Sequence, residues 1–283
     1  MGVKTIGVVG AGTMGRGIAY AAVAGGFRAV LTDVSEDILA KARLYISDTL
    51  TGAKARGKWD GDPEKALAGL TLTPRLEDTA AAGLIIEAVP EDIRLKVEIL
   101  ARLRQAAPPQ TILASNTSSL SIAEMGAATG RPARFLGMHF FNPVPKMKLV
   151  ELVYTPETAQ ETLATAEAVC RQMGKETVRV KDSPGFATSR INALIGNEAF
   201  RMLEEGVATP EDIDKALKLG LNHPMGPFEM VDLVGLDVRL AILEYLHRTL
   251  GERFKPTPLL VEHVKAGRLG RKVGRGVYDY ENK

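Results

Sequence analysis

The chain reads as an α/β protein: a doubly wound sheet over residues 1–184, then an all-helical domain over residues 185–283. Three observations carry this. Short β-branched runs alternate with helical patterns through the first half, as in sheets built from strand–helix–strand units. A glycine-rich turn follows the first strand directly. Beyond Asp182-Ser183-Pro184-Gly185 the strand patterns stop.

Taken in order, Ile6–Val9 is a buried strand, and Gly12–Ala24 is a small-residue helix closed by Gly25-Gly26. Arg28–Thr32 is a second strand. Ser35–Leu50 places Ile38, Leu39, Ala42 and Ile46 at helical spacing, with Ser35 as N-cap. Polar, glycine-containing Thr51–Gly61 is expected to be an exposed connection. Gly83–Ile86 is a strand broken by Pro90, and an amphipathic helix follows over Glu91–Ala106. Thr111–Ala114, Phe135–Met138, Leu149–Val153 and Thr177–Val180 complete a set expected to form a parallel sheet. In the second half, Ala187–Glu205 is a helix ended by Gly206. Thr209-Pro210-Glu211-Asp212 supplies an N-cap, a proline at the first helical position and an acid at the third. That helix stops at Gly220, and Leu236–Leu250 and Pro258–Lys265 give two more.

With 283 residues, 36 Lys+Arg against 34 Asp+Glu and a net charge of +2, nothing favours nucleic acid or a membrane surface as partner. The longest weakly polar stretch, Ile18–Phe27, is well short of the ~18 residues a membrane span needs. No signal pattern precedes the first strand, so a cytoplasmic protein is expected. The lone Cys170 excludes an intramolecular disulfide framework, and no His or Cys spacing fits a metal site. No G-x-S-x-G elbow suggests a serine hydrolase.

Gly10-Ala11-Gly12-Thr13-Met14-Gly15 lies between a strand and a helix. Gly10 permits the tight turn, Gly12 lets backbone approach a pyrophosphate, and Gly15 allows close helix–strand packing. The helix start then offers unpaired N–H groups to the anion. Asp33, at the end of the second strand, is placed to accept from both ribose hydroxyls and to repel a 2′-phosphate, which favours NAD over NADP. A ligand-free glycine turn, with Asp33 a simple turn residue, is the competing account. The half is thus a Rossmann-type domain whose ligand edge also receives Ala88–Glu91 and Ser115–Ser118. Ser119 or Ser121 is the N-cap of the helix after that run.

Oxidising an alcohol with a hydride acceptor requires a base, and histidine suits neutral pH. Of four histidines, His247 and His263 sit on charged helix patterns and are expected to be solvated, and His223 lies in a turn. His139 ends a strand on the ligand edge. Twelve positions on, Glu151 interrupts the apolar strand Leu149–Val153, where a carboxylate is costly unless paired. The pair would work as acid and imidazole do in a triad. A water-facing Glu151 on an edge strand and a core His139 are the alternatives. Asn142 and Ser118 are candidate hydrogen-bond donors to substrate or nicotinamide.

These motifs resemble the L-3-hydroxyacyl-CoA dehydrogenase family, most closely its bacterial 3-hydroxybutyryl-CoA branch. The resemblance spans essentially the whole chain: Gly10–Gly15, Ser115–Leu120, His139–Pro145, Asp182–Phe186 and His223–Glu229 through Val234–Asp237. It implies reversible NAD-dependent oxidation of an L-3-hydroxyacyl-CoA, His139 as base, Glu151 as its partner, and Ser118 and Asn142 near the substrate. It places Glu91 and Lys96 at the cofactor and implies a homodimer through the helical domain. One departure stands out: the family's Asn-Arg after Pro-Gly-Phe is Ser189-Arg190 here, so Ser189 is carried over only as a shorter substrate contact. An anionic CoA calls for basic residues along its path. Lys54, Arg56 and Lys58 are one candidate cluster, and Lys265, Arg268, Arg271, Lys272 and Arg275 another, with Lys272 alternatively reaching the cofactor. A dehydrogenase of a free hydroxy acid or sugar acid, and an NAD-binding protein without turnover, are the other readings of the same residues.

Overall fold

The structure, a computed structural model, describes residues 2–280. The chain divides into two compact units between Asp182 and Ser183. The first runs β1 (Thr5–Val9), α1 (Thr13–Ala24), β2 (Arg28–Thr32), α2 (Glu36–Ala55), α3 (Pro63–Ala68), β3 (Leu70–Thr73), β4 (Leu84–Glu87), α4 (Ile93–Ala106), β5 (Ile112–Ser115), α5 (Ile122–Thr129), β6 (Phe135–Phe140), β7 (Leu149–Tyr154), α6 (Gln160–Gln172) and β8 (Glu176–Lys181).

All eight strands join one sheet in the order β3-β2-β1-β4-β5-β6-β7-β8. The first six are parallel, in the strand order of dinucleotide-binding sheets. β7 turns back antiparallel to β6, and β8 runs parallel to β7. Only residues 141–148 separate β6 from β7. Parallel pairing needs a crossover of roughly a dozen residues or more, so this connection closes a hairpin instead. The sheet is therefore parallel over six strands, with two additions of opposite sense that the strand–helix alternation did not foretell.

Central strands are apolar on both faces: Ile6, Val8, Leu84, Ile85, Ile86, Leu113 and Ala114 are all buried, as helices on both sides require. Thr51–Ala55, expected in an exposed connection, instead finish α2. Leu50 and Ala53 continue its buried stripe, and Gly52 is tolerated within it. Four elements went unread. α3 and β3 have only six and four residues, β3 alternating Leu and Thr, and α6 lies between strands in a Thr/Ala-rich run. The fourth is a short helix in the second unit, over Pro227–Val234.

The second unit is helical: α7 (Thr188–Glu204), α8 (Pro210–Gly220), α9 (Pro227–Val234), α10 (Leu236–Leu250) and α11 (Pro258–Lys265). They close over Phe200, Phe228, Leu236, Leu243, Phe254 and Leu260. Thr209 caps α8 as the sequence implies, its Oγ1 accepting the Asp212 N–H at 3.2 Å. Buried Asp214 accepts the N–H groups of Phe228 and Glu229 at 2.8 and 3.0 Å, capping α9 from α8. Expected to be solvated, His263 instead packs edge-on against Phe200, centroids 5.7 Å apart, and its Nδ1 meets the Leu259 carbonyl at 2.9 Å. His247 remains near the surface, paired with Glu252 at 2.9 Å.

Candidate active site

The carboxyl ends of β1, β2, β4, β5 and β6 share one edge of the sheet, and the candidate residues of the first unit gather there. Gly10 takes φ +96°, and a Cβ on it would meet the Ala88 carbonyl oxygen at 2.8 Å. A Cβ on Gly15 would sit 1.7 Å from the Gly10 oxygen. Gly12 is different: a Cβ there meets nothing within 4 Å. The turn is thus packed tight at its two ends and bare at its middle, before the start of α1, which suits a pyrophosphate. Thr13 is exposed and Met14 half-buried beside it. Asp33 Oδ2 accepts the Ala11 N–H at 2.8 Å, and its Oδ1 accepts that of Ser35 at 3.1 Å. Each oxygen keeps a lone pair for a ribose hydroxyl. These residues fit NAD.

A cavity of about 360 Å³ opens along the same edge, bordered by Met14, Val89, Glu91, Ser118, His139 and Asn142. The β6–β7 hairpin sets His139 directly opposite Glu151. Nδ1 of His139 lies 2.7 Å from Glu151 Oε2. Glu151 is fully buried and His139 is 7% exposed. β8 covers β7, so Glu151 does not face water from an edge strand. The imidazole also stands against Phe141, ring centroids 4.4 Å apart.

Glu91, exposed on the loop after β4, accepts Thr117 Oγ1 at 2.5 Å and the Ser118 N–H at 2.9 Å. Ser118 Oγ lies 3.4 Å from the same oxygen. Lys96 is 1% exposed, with its Nζ 2.7 Å from Glu87 and 3.3 Å from Glu91. Its ammonium therefore underpins Glu91 rather than standing open in the cavity. Glu87 itself was missed by sequence reasoning. It is fully buried and also accepts the Val89 N–H at 2.7 Å and Ser115 Oγ at 2.6 Å. The signal was the one that marked Glu151, an acid closing an apolar strand.

Asn116, also missed, accepts the Phe140 N–H at 2.9 Å and ties the β5 loop to the end of β6. Asn142 is exposed on the loop beyond His139. Ser121 rather than Ser119 caps α5, accepting the Glu124 N–H. Lys54 is exposed on the last turn of α2. Cys170 is buried in α6, which pushes its thiol up to about 12 and removes it as a nucleophile.

Two candidates lie in the second unit. Ser189 is half-buried on the first turn of α7. Its neighbours Thr188, Ile191, Asn192 and Ile195, with His223, line an apolar cavity of about 450 Å³ that Ser189 does not border. Lys272 is paired through both carboxylate oxygens of Asp237, at 2.6 Å each.

A sheet edge whose glycine turn suits a pyrophosphate, with an imidazole on its wall, is the arrangement a nicotinamide-dependent oxidoreductase needs. Comparison with known proteins narrows this. Residues 5–183 match the family model for the 3-hydroxyacyl-CoA dehydrogenase NAD binding domain, and residues 185–280 match the C-terminal domain of the same family. A probable 3-hydroxybutyryl-CoA dehydrogenase of Bacillus subtilis is 44% identical over 285 residues, covering 100% of this chain and 99% of its own. The mitochondrial hydroxyacyl-coenzyme A dehydrogenase of Homo sapiens is 42% identical over 288 residues, covering 99% and 92%. The crystal structure of (S)-3-hydroxybutyryl-CoA dehydrogenase from Ralstonia eutropha superposes with a TM-score of 0.95 at 44% identity, covering 99% of each chain. The chain belongs to the 3-hydroxyacyl-CoA dehydrogenase family, and it is an NAD-dependent enzyme. No described helix is long and apolar enough to cross a membrane.

Proposed function

We propose that the protein oxidises short-chain L-3-hydroxyacyl-CoA, 3-hydroxybutyryl-CoA foremost, to the 3-ketoacyl-CoA, reversibly and with NAD. The observation that carries this is the 2.7 Å contact between His139 and buried Glu151 on the wall of the dinucleotide crevice. NAD bound there supplies the hydride acceptor. With Nδ1 held by Glu151, Nε2 of His139 takes the hydroxyl proton as the carbinol hydrogen departs as hydride. Glu151 fixes the tautomer and balances the imidazolium that forms. Ser118 and Asn142, bordering the same cavity, orient substrate and nicotinamide. In reduction His139 returns the proton to the carbonyl oxygen.

The acyl-CoA reading gains support from a face of α1 and α2. The Arg56 guanidinium folds back over Gly52, within 3.0 Å of where a Cβ would stand. Arg16 lies over the Tyr45 ring at 4.3 Å, and its Nε has no acceptor among the described residues. Burial and Tyr45 raise the neighbouring Tyr20 phenol, while Arg56 pulls it the other way. Two guanidiniums and two phenols without a paired acid among the described residues suit a phosphorylated nucleotide, and Lys54 and Lys58 extend the positive charge. Acetoacetyl-CoA with NADH is expected to turn over, and free acetoacetate is not. The opposite preference would favour a free hydroxy acid enzyme. Arg56→Ala is expected to raise KM for acetoacetyl-CoA about tenfold or more, as loss of a charge-assisted contact to phosphate does. Acetoacetyl-N-acetylcysteamine, which lacks the nucleotide, should be unaffected. Equal shifts for both substrates would remove this face from CoA binding.

The helical unit exposes Ile191 (57%), Leu233 (51%) and Val238 (42%), apolar surface that suits a homodimer of a cytoplasmic enzyme. Sedimentation velocity should give twice the chain mass of 30.4 kDa, and a species at the chain mass alone would refute it.

A further inference from the structure

Lys175 is a buried cation that neither the resemblance nor the mechanism uses. Beyond the end of α6, Gly174 takes φ +71°, and the Lys175 N–H returns to the Cys170 carbonyl at 2.9 Å. That reversal sends the lysine side chain inward, where the residue is 9% exposed. Its Nζ donates to the carbonyl oxygens of Val144 at 2.5 Å and Met147 at 2.8 Å. Both belong to residues 141–148, the link between the strand of His139 and the strand of Glu151.

Within that link, Lys146 and Met147 both donate to the Pro143 carbonyl, at 2.9 and 3.1 Å, which makes one helical turn. Carbonyls late in so short a turn lack a backbone N–H to meet, and the ammonium supplies the donor. The same link puts Phe141 on the His139 ring and Asn142 on the cavity wall. Val144 rests on α1 at Gly17, where a Cβ would come within 2.8 Å of the valine Cβ. One cation therefore holds the segment that touches the histidine, the cavity and the dinucleotide helix.

We propose that Lys175 is a positioning residue for hydride transfer: its buried ammonium holds residues 141–148 so that Phe141 seats the His139 ring and Asn142 borders the cavity. This inference rests on the function proposed above. Burying an ammonium is costly. Methionine matches its length without a donor, so Lys175→Met leaves two carbonyls unmet and frees the link to shift. Misplacement of reacting groups on the ångström scale costs up to about 100-fold in rate.

The test measures kcat, KM and the primary isotope effect with NADH deuterated at the transferred position, beside the NADH Kd and the melting temperature. For Lys175→Met, kcat for acetoacetyl-CoA is expected to fall about 10- to 100-fold, and the isotope effect on kcat to rise as hydride transfer becomes limiting. NADH Kd should stay within about twofold of its original value. Lys175→Gln, which keeps a shorter donor, should show the same signature more weakly, and it carries the test if the methionine variant does not fold. Variants with unchanged kcat, or a loss with no change in isotope effect, would overturn the assignment. His139→Ala, run alongside, separates the two failures. If it keeps turnover, the proposed function falls. If it loses turnover while the Lys175 variants retain theirs, only the role of Lys175 falls.

Discussion

Replacing His139 with alanine is expected to lower kcat for 3-hydroxyacyl-CoA oxidation by about 10²–10⁴-fold, the range a positioned general base contributes. KM for acyl-CoA and for NAD should move little, because the imidazole acts mainly on the proton that leaves in the transition state. Glu151→Gln isolates the charge. Its amide oxygen can still accept from Nδ1, but a neutral partner no longer balances an imidazolium at a site where the carboxylate is fully buried. A loss of about 10²-fold or more in kcat is expected there too. NADH appearance, followed by absorbance at saturating substrate, reads both. If His139→Ala retained kcat within a few-fold, the base would lie elsewhere.

Gly15→Ala and Gly12→Ala are expected to fail in opposite ways. A Cβ on Gly15 would lie 1.7 Å from the Gly10 carbonyl oxygen, which is backbone and cannot swing aside. The turn or α1 must then move, in a packed interior where overpacking is not absorbed. A destabilisation above about 4 kcal/mol is expected, seen as a large fall in melting temperature or loss of folded protein. A Cβ on Gly12 meets nothing, so that variant should melt near the original temperature. It should nevertheless bind NAD at least about tenfold more weakly, because the methyl occupies the approach of the pyrophosphate. Melting curves and NADH titrations of the pair check both. A Gly15→Ala protein as stable as the original would contradict the packing described, and a Gly12→Ala protein with unchanged affinity would contradict the cofactor site.

Much of this site is legible in the chain because burial makes it so. Glu151 stands out as an acid in an apolar strand, and the hairpin answers it with His139 directly opposite. Asp33 is legible from its distance to the glycine turn. What escaped is what depends on three dimensions. Glu87 carries the same signal as Glu151, yet its partners come from the loop after β4, from α4 and from β5. Lys175 lies 31 positions from Val144 and meets only backbone carbonyls, which no side-chain pattern announces. Arg16 looks like an ordinary helix-surface cation until α2 brings Tyr45 beneath it. The reversal of β7 was within reach, since residues 141–148 are too few for a crossover. α6 was within reach too, since Leu163, Ala166, Val169 and Cys170 recur at helical spacing and form its buried stripe.

The pairing of His139 with Glu151 as one proton-handling unit is tested most directly by a double-mutant cycle on single-turnover hydride transfer to NAD. A unit acts once: His139→Ala combined with Glu151→Gln should be no slower than His139→Ala alone, to within about threefold. If the two losses instead multiplied, the carboxylate and the imidazole would be acting independently, and the mechanism would be wrong even with both side chains in the same crevice.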